Sequence, residues 1–392
     1  MSHQLKFLII SRRINSQQSA PKCNLNLAIA LTKIGYEVHV LTSYVNDKEL
    51  EMLKTHGVIT HIIKPFYASK YVAPIFYTFM AKRLKEKHGI NIVLGNGYTL
   101  RDDITWIHFP KLAWIRKAQE LHLDVSYRFR IEAWLEKQIF KSSKFLLAPS
   151  KLVVNDLINL YGMRYKKIIH VYHGVDINYY KPLPQTQREE YRRKMGMEDK
   201  LVLLFVGEPI KKGLYILLSE LRRFSNLKDI DLLIAGLKPN QELFSHVDRS
   251  GFCNNVKVLG FLNPEDLRLY YQTVDAIILP SLYDAFSLVT LEAMACGAIP
   301  VVSKYAGVAE LISNGFNGFI VNPLIKGSLS ETMEQILNMS QSKMQTMRNN
   351  AIYTAKKYSW MNTARYFLNL LSHKLSKYES HRVSSSNSES YR

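Results

Sequence analysis

The stretch YDAFSLVTLEAMACG, residues 283–297, sets two acids in an otherwise apolar helical pattern: Asp284 just before the run and Glu292 within it. A buried carboxylate is costly unless something polar meets it. The pair therefore either caps and braces the helix or meets a polar ligand. Carboxylates are hydrogen-bond acceptors, suited to paired sugar hydroxyls. Beside Phe286, the start of the helix presents the backbone N–H groups of Ser287, Leu288 and Val289, which suit phosphate oxygens. A second stretch, FVGEPIKKGL (205–214), passes from a strand through Gly207, Lys211, Lys212 and Gly213 into a helix. Two ammonium groups at a helix start suit a diphosphate, although a solvated lysine pair in a turn would read the same. A third, SKYAGVAEL (303–311), carries Gly307 ahead of another helix.

The elements that must position these residues follow from the whole chain. Its 392 residues imply two domains, and 47% hydrophobic with 22% charged residues describes a globular protein. The 52 Lys+Arg against 33 Asp+Glu leave +19, which favours an anionic partner. The three cysteines, Cys23, Cys253 and Cys296, are odd in number and lack metal-ligand spacing, which fits a reduced cytosol. No apolar run reaches the roughly 18–20 residues of a membrane span, and KFLIIS reads as a strand rather than a signal peptide.

Strand-like runs alternate with amphipathic patterns, the signature of parallel sheets covered on both faces. Strands are predicted at 6–11, 37–43, 59–65, 91–96, 103–109 and 144–150, with helices at 24–34, 70–87 and about 126–142. The alternation restarts at 201 with LVLLFVG, DLLIAG, VKVLGFL, DAIILPS, IPVVS and GFIVNP. The expected layout is a first Rossmann-like domain over 1–176, a linker over 177–200, and a second such domain over 201–358. A helix over 359–378 and a tail without structure over 379–392 follow. The two doubly wound, parallel-sheet α/β domains should face each other across a cleft, with ligands at the carboxyl ends of the strands.

The stretch 279–302, LPSLYDAFSLVTLEAMACGAIPVV, resembles the family-four retaining glycosyltransferases of GT-B fold, whose mark is an acid, seven residues and a glutamate. FVGEPIKKGL is similar to their phosphate loop, YHGVDINYYKP (172–182) to their interdomain segment, and SWMNTARYF (359–367) to their closing helix. The resemblance runs from about 144 to 375 in order and spacing. It implies that Glu292 binds the ribose, Asp284 the transferred sugar, and the Leu288 and Val289 amides the diphosphate, while Lys212 and Lys211 neutralise the leaving group. It implies no metal and no cofactor beyond a UDP- or GDP-hexose donor; the D-x-D string Asp229–Asp231 reads as a turn. Three departures stand out. Aspartate replaces the usual glutamate at 284, and Glu208 replaces an arginine in the phosphate loop. Arg12 and Arg13 stand where a glycine-rich acceptor loop is common.

On the acceptor side, NGYTLRDDITWIHFPKLAWIRKAQ (96–119) resembles the family segment that holds an acid and a histidine at the cleft, here Asp103 and His108. His108 is assigned to the donor sugar or the acceptor hydroxyl rather than to a general base. In segments 66–89 and 109–144, aromatics such as Trp114, Tyr127, Phe129 and Trp134 alternate with Lys111, Arg116, Lys117, Arg128 and Arg130, which suits an anionic membrane surface. The plainer reading makes the aromatics core and the cations a solvated face. The expected enzyme is a monomeric hexosyltransferase at the cytoplasmic face of the membrane, similar in layout to lipopolysaccharide-core glucosyltransferases. Its acceptor would be a cell-envelope glycan or lipid-linked sugar, with no nucleic acid. The alternatives are an epimerase or hydrolase of the same fold, a basic membrane- or nucleic-acid-binding module, and an inactive relative. An NAD enzyme is disfavoured, since no G-x-G-x-x-G follows a predicted strand.

Overall fold

The computed structural model describes residues 5–63, 73–221, 229–239, 241–250 and 255–389, with 242, 244, 249, 250 and 379–389 as backbone. Seven parallel strands form the first sheet, in the order Ile59–Ile62, Glu37–Thr42, Lys6–Ile10, Ile92–Gly95, Ile104–Trp106, Phe145–Ala148, Ile168–His170. Six parallel strands form the second: Val256–Gly260, Ile230–Ala235, Leu201–Val206, Ala276–Leu279, Ile299–Ser303, Phe319–Val321. The runs KFLII, LVLLFV and AIIL are apolar without alternation because helices cover both faces of each sheet.

In both sheets the strand order reverses beside the first strand, which lies between the second and the fourth. Crevices open there, outside the carboxyl ends of the strands. The loops at these switch points follow Ile10 and Gly95 in the first sheet, and Val206 and Leu279 in the second. They carry most of the candidate residues. The three-residue strand Ile168–His170 was too short to read from sequence. Lys64 and Pro65, at the end of the third expected strand, and residues 66–72 of the first basic–aromatic segment lie outside the described residues.

Two expectations are corrected. The expected linker contains a helix, Gln185–Lys194, docked on the second domain. Arg188 and Arg192 reach the Thr273 carbonyl at 3.0 and 2.9 Å and the buried Asp275 carboxylate at 3.0 and 3.1 Å. Its charges are thus partly structural partners rather than signs of a free tether. The expected unstructured tail is also helical, since the closing helix runs Trp360–Glu389. No glycine or proline interrupts the stretch to stop it. That helix starts against the interdomain segment, with the Val175 amide donating to the Tyr358 carbonyl at 2.9 Å, and packs on the helix Ser19–Ile34 of the first domain.

Candidate active site

The loop Gly207–Gly213 and the loop Pro280–Ser287 interlock at the second switch point. Gly213 has φ +78°, and a Cβ there would lie 2.1 Å from the Pro280 carbonyl oxygen, so only glycine lets the loops meet. The Leu282 amide closes the contact by donating to the Lys211 carbonyl at 2.8 Å. Glu208 accepts the Ile210 and Lys211 amides at 3.1 and 2.7 Å, which explains a glutamate there: it caps the turn and does not line the interdomain cavity.

Together these loops wall an interdomain cavity of about 670 Å³, lined by Gly207, Lys212, Asp284, Phe286, Ser287, Leu288, Val289 and Glu292, with Lys22, His108 and His173 from the first domain. The Lys212 ammonium donates directly to Asp284 Oδ2, and the two side chains are 20% and 15% exposed. Asp284 Oδ1 accepts the Phe286 amide at 3.3 Å. Ser287 is held in the left-handed region, at φ 81° and ψ 78°, a costly state for a residue with a Cβ. It gives no side-chain cap to the helix Leu288–Cys296. The first turn, at the Leu288 and Val289 lining, is thus without a side-chain cap, and free amides of this kind suit anionic oxygens.

Glu292 is 2% exposed. Its Oε1 accepts from Lys22 Nζ at 2.7 Å across the domain boundary, and Lys22 also reaches the Tyr180 hydroxyl at 3.3 Å. Its Oε2 is buried without a protein partner, an acceptor available to a ligand hydroxyl. Neither Lys22 nor His173 was singled out from sequence. The signal for His173 was its place in YHGVD; Lys22 had none, since its partner lies 270 positions away.

Lys211 departs from expectation. Its ammonium lies 5.0 Å from the Phe109 ring centre and 5.5 Å from that of Trp114, a cation–π contact with the first domain, and it does not line the cavity. Consecutive residues in a turn point apart, so only one of the two lysines faces the cleft.

A second cavity, of about 740 Å³, lies in the first domain between Arg12, Arg13, Asn96, Tyr98 and Lys111, and it meets the interdomain cavity at His108. Arg12 and Arg13, expected on the acceptor side, thus line a cavity next to the interdomain one. The Asn96 amide donates to the Ile10 carbonyl at 2.8 Å and Asn24 Oδ1 at 3.0 Å, so its oxygen accepts from His108 Nε2 at 2.6 Å. That assignment leaves His108 Nδ1 as an acceptor. Burial pushes His108 down to about 3, which keeps the ring neutral and makes it a weak base. Asp103 is corrected: it lies at the amino end of its strand, the edge away from the cleft, where it accepts from Lys85 Nζ and the Val93 amide at 2.9 Å each.

Cys23, His108 and His173 bring ligand atoms within 4.8 Å of one another, and the two histidines line the interdomain cavity. Burial pushes the Cys23 thiol well up, which holds it protonated near neutral pH.

Residues 187–358 match the family "Glycosyl transferases group 1", and residues 22–179 match "Glycosyltransferase Family 4". The chain is similar to an uncharacterised glycosyltransferase of Methanocaldococcus jannaschii, with 25% identity over 88% of this chain and 91% of that protein. In structure it is similar to WaaG, "a glycosyltransferase involved in lipopolysaccharide biosynthesis", with TM-score 0.73 and 18% identity over 92% of this chain and 97% of that one. It is also similar to Anabaena HepE in complex with UDP and glucose, with TM-score 0.72 and 19% identity over 94% and 100%. Matched along both halves, the chain belongs to the GT-B glycosyltransferases of the group 1, family-four type.

Proposed function

We propose that this enzyme transfers a hexose with retention from UDP or GDP to a hydroxyl of a cell-envelope glycan or lipid-linked sugar, without a metal. The observation that carries the reading is convergence. Lys212, the unpartnered oxygen of Glu292 and the uncapped turn at Leu288–Val289 face one cavity, which meets a second at His108. Glu292 Oε2 accepts a ribose hydroxyl, and Asp284 accepts hydroxyls of the transferred sugar. The bond from the sugar carbon to the diphosphate breaks with its electron pair going to the phosphate oxygen. The acceptor oxygen bonds that carbon on the same face, and its proton passes to the departing phosphate. Lys212 and the first-turn amides stabilise the negative charge that develops there. His108, neutral, orients a hydroxyl.

Exposed side chains on the two helices that supply Pro74, Glu132 and Leu135 to the second cavity support a lipid-linked acceptor. Ile75 and Phe79 on the helix Ala73–His88 are 64% and 62% exposed, and Tyr127 and Trp134 on the helix Tyr127–Ser142 are 76% and 60% exposed. Arg128 and Arg130 are exposed beside them. Trp114 and Ile115, in contrast, are buried in the core. Among the described residues no helix is long and apolar enough to cross a membrane. The enzyme then docks peripherally, as a monomer, on the cytoplasmic face. The name of WaaG points to the same acceptor class. An epimerase or hydrolase would have no use for the second cavity.

Thermal shift and donor hydrolysis over UDP-, GDP- and ADP-sugars, in chelator, test the reading. One donor should stabilise the parent and fail to stabilise Glu292→Gln. Silence across the panel, or equal response of the variant, would overturn it.

A further inference from the structure

Three histidines meet far along the first sheet from the interdomain cavity, whose lining they do not share. The strand Glu37–Thr42 places His39 and Leu41 on the face covered by the helix Ala73–His88, and the edge strand Ile59–Ile62 places His61 there, in register with Leu41. The helix itself ends on His88. Ring centres lie 5.1, 4.8 and 5.2 Å apart, and one ring nitrogen of each residue falls within 4.8 Å of the others.

The cluster is oriented from behind. His39 is fully buried, and its Nε2 lies 2.9 Å from Glu37 Oε1, while Lys6 holds the other Glu37 oxygen at 3.0 Å. Nε2 therefore carries the hydrogen and donates, and Nδ1 turns its lone pair towards His61 Nε2 at 2.8 Å. A carboxylate behind an imidazole is the arrangement that fixes metal-ligating histidines. In the metal-free cluster His61 donates to His39. Moving that hydrogen to the far nitrogen of His61 gives two lone pairs at one point, without release of a proton.

We propose that His39, His61 and His88 form a site for a borderline divalent transition ion of the zinc class, with Glu37 as positioning residue and the fourth position open to water. Three imidazoles and an open position match the chemistry of such ions. The ion would tie the edge strand and its neighbour to the helix whose first turn, at Pro74, walls the second cavity. It braces the acceptor side and takes no part in group transfer.

The test uses the tag-free full chain, stripped with chelator, titrated with Zn²⁺ by calorimetry and with Co²⁺ by absorption. One ion per chain is expected, with a rise in melting temperature. His88→Ala, at a partly exposed helix end, and His61→Ala should each weaken binding at least ~10-fold, as should Glu37→Gln. His108→Ala should leave binding unchanged, which separates this site from the Cys23–His108–His173 group. No saturable uptake, uptake that survives the His61→Ala/His88→Ala double variant, or uptake lost in His108→Ala would overturn the proposal. Circular dichroism establishes that the variants fold.

Discussion

Lys22 of the first domain donates to Glu292 of the second at 2.7 Å, and the other oxygen of that carboxylate is buried without a partner. Domain closure and the open acceptor in the cleft therefore share one side chain. Glu292→Gln removes the charge from both contacts. A hydrogen bond to a charged group contributes about 1.5–3 kcal/mol, so donor affinity should fall roughly 10- to 100-fold. Lys22→Met leaves a buried carboxylate without its counter-ion, which should lower the melting temperature and raise donor KM. The double variant should recover part of that stability. Melting curves and donor titrations over the four proteins measure the coupling, and strict additivity would mean the two domains act on the donor independently.

Lys211 and Lys212 are adjacent in sequence and face different neighbours. Lys212 bonds Asp284 inside the cavity, whereas Lys211 sits over the rings of Phe109 and Trp114. Lys212→Ala should lower kcat by about 100-fold or more, with a smaller effect on KM, because in the proposed transfer its charge matters most as the phosphate departs. Lys211→Ala should change kcat by only a few-fold and loosen closure, seen as a higher KM. Steady-state kinetics of the pair decide it; equal losses of kcat would place both lysines on the phosphate.

Gly213→Ala tests the interlock of the two loops. A Cβ at 2.1 Å from the Pro280 oxygen, on backbone at φ +78°, forces the loops apart. The expected result is a melting temperature several degrees lower, with donor binding weakened beyond that. Gly196, also at positive φ (+65°) but with open space around it, is the control: Gly196→Ala should cost only the backbone term.

Much of this was legible in the chain because the second domain keeps its chemistry local. Gly207, Lys212, Asp284, Ser287 and Glu292 sit on loops and one helix start that short motifs announce, and strand-length apolar runs set the parallel sheets behind them. What escaped sequence reading depended on distance or direction. Lys22 acquires meaning only through Glu292, 270 positions on. Asp103 and His108 belong to one run, yet they stand at opposite ends of the strand between them, so only His108 reaches the cleft. The helix Gln185–Lys194 read as a linker because its docking arginines look, in sequence, like solvated charge. His39, His61 and His88 share no motif; three separate elements bring them together.

The buried imidazoles make stability fall in acid in a way that can be assigned. An unfolded histidine takes up its proton near pH 6.5, while burial pushes His108 down to about 3 in the fold. Burial, with His108 beside it, moves His173 in the same direction. Between those values the unfolded chain binds more protons, so the stability is complete above pH 6.5 and declines as pH falls towards 3. One such group removes about 1.4 kcal/mol per pH unit over that range, or about 2 kcal/mol by pH 5. Denaturant melts at pH 8, 6 and 5 should trace the decline, and His108→Gln should flatten it by close to one proton. An unchanged slope in that variant would mean that His108 can take up its proton while folded, and would reopen it as the base of the transfer reaction.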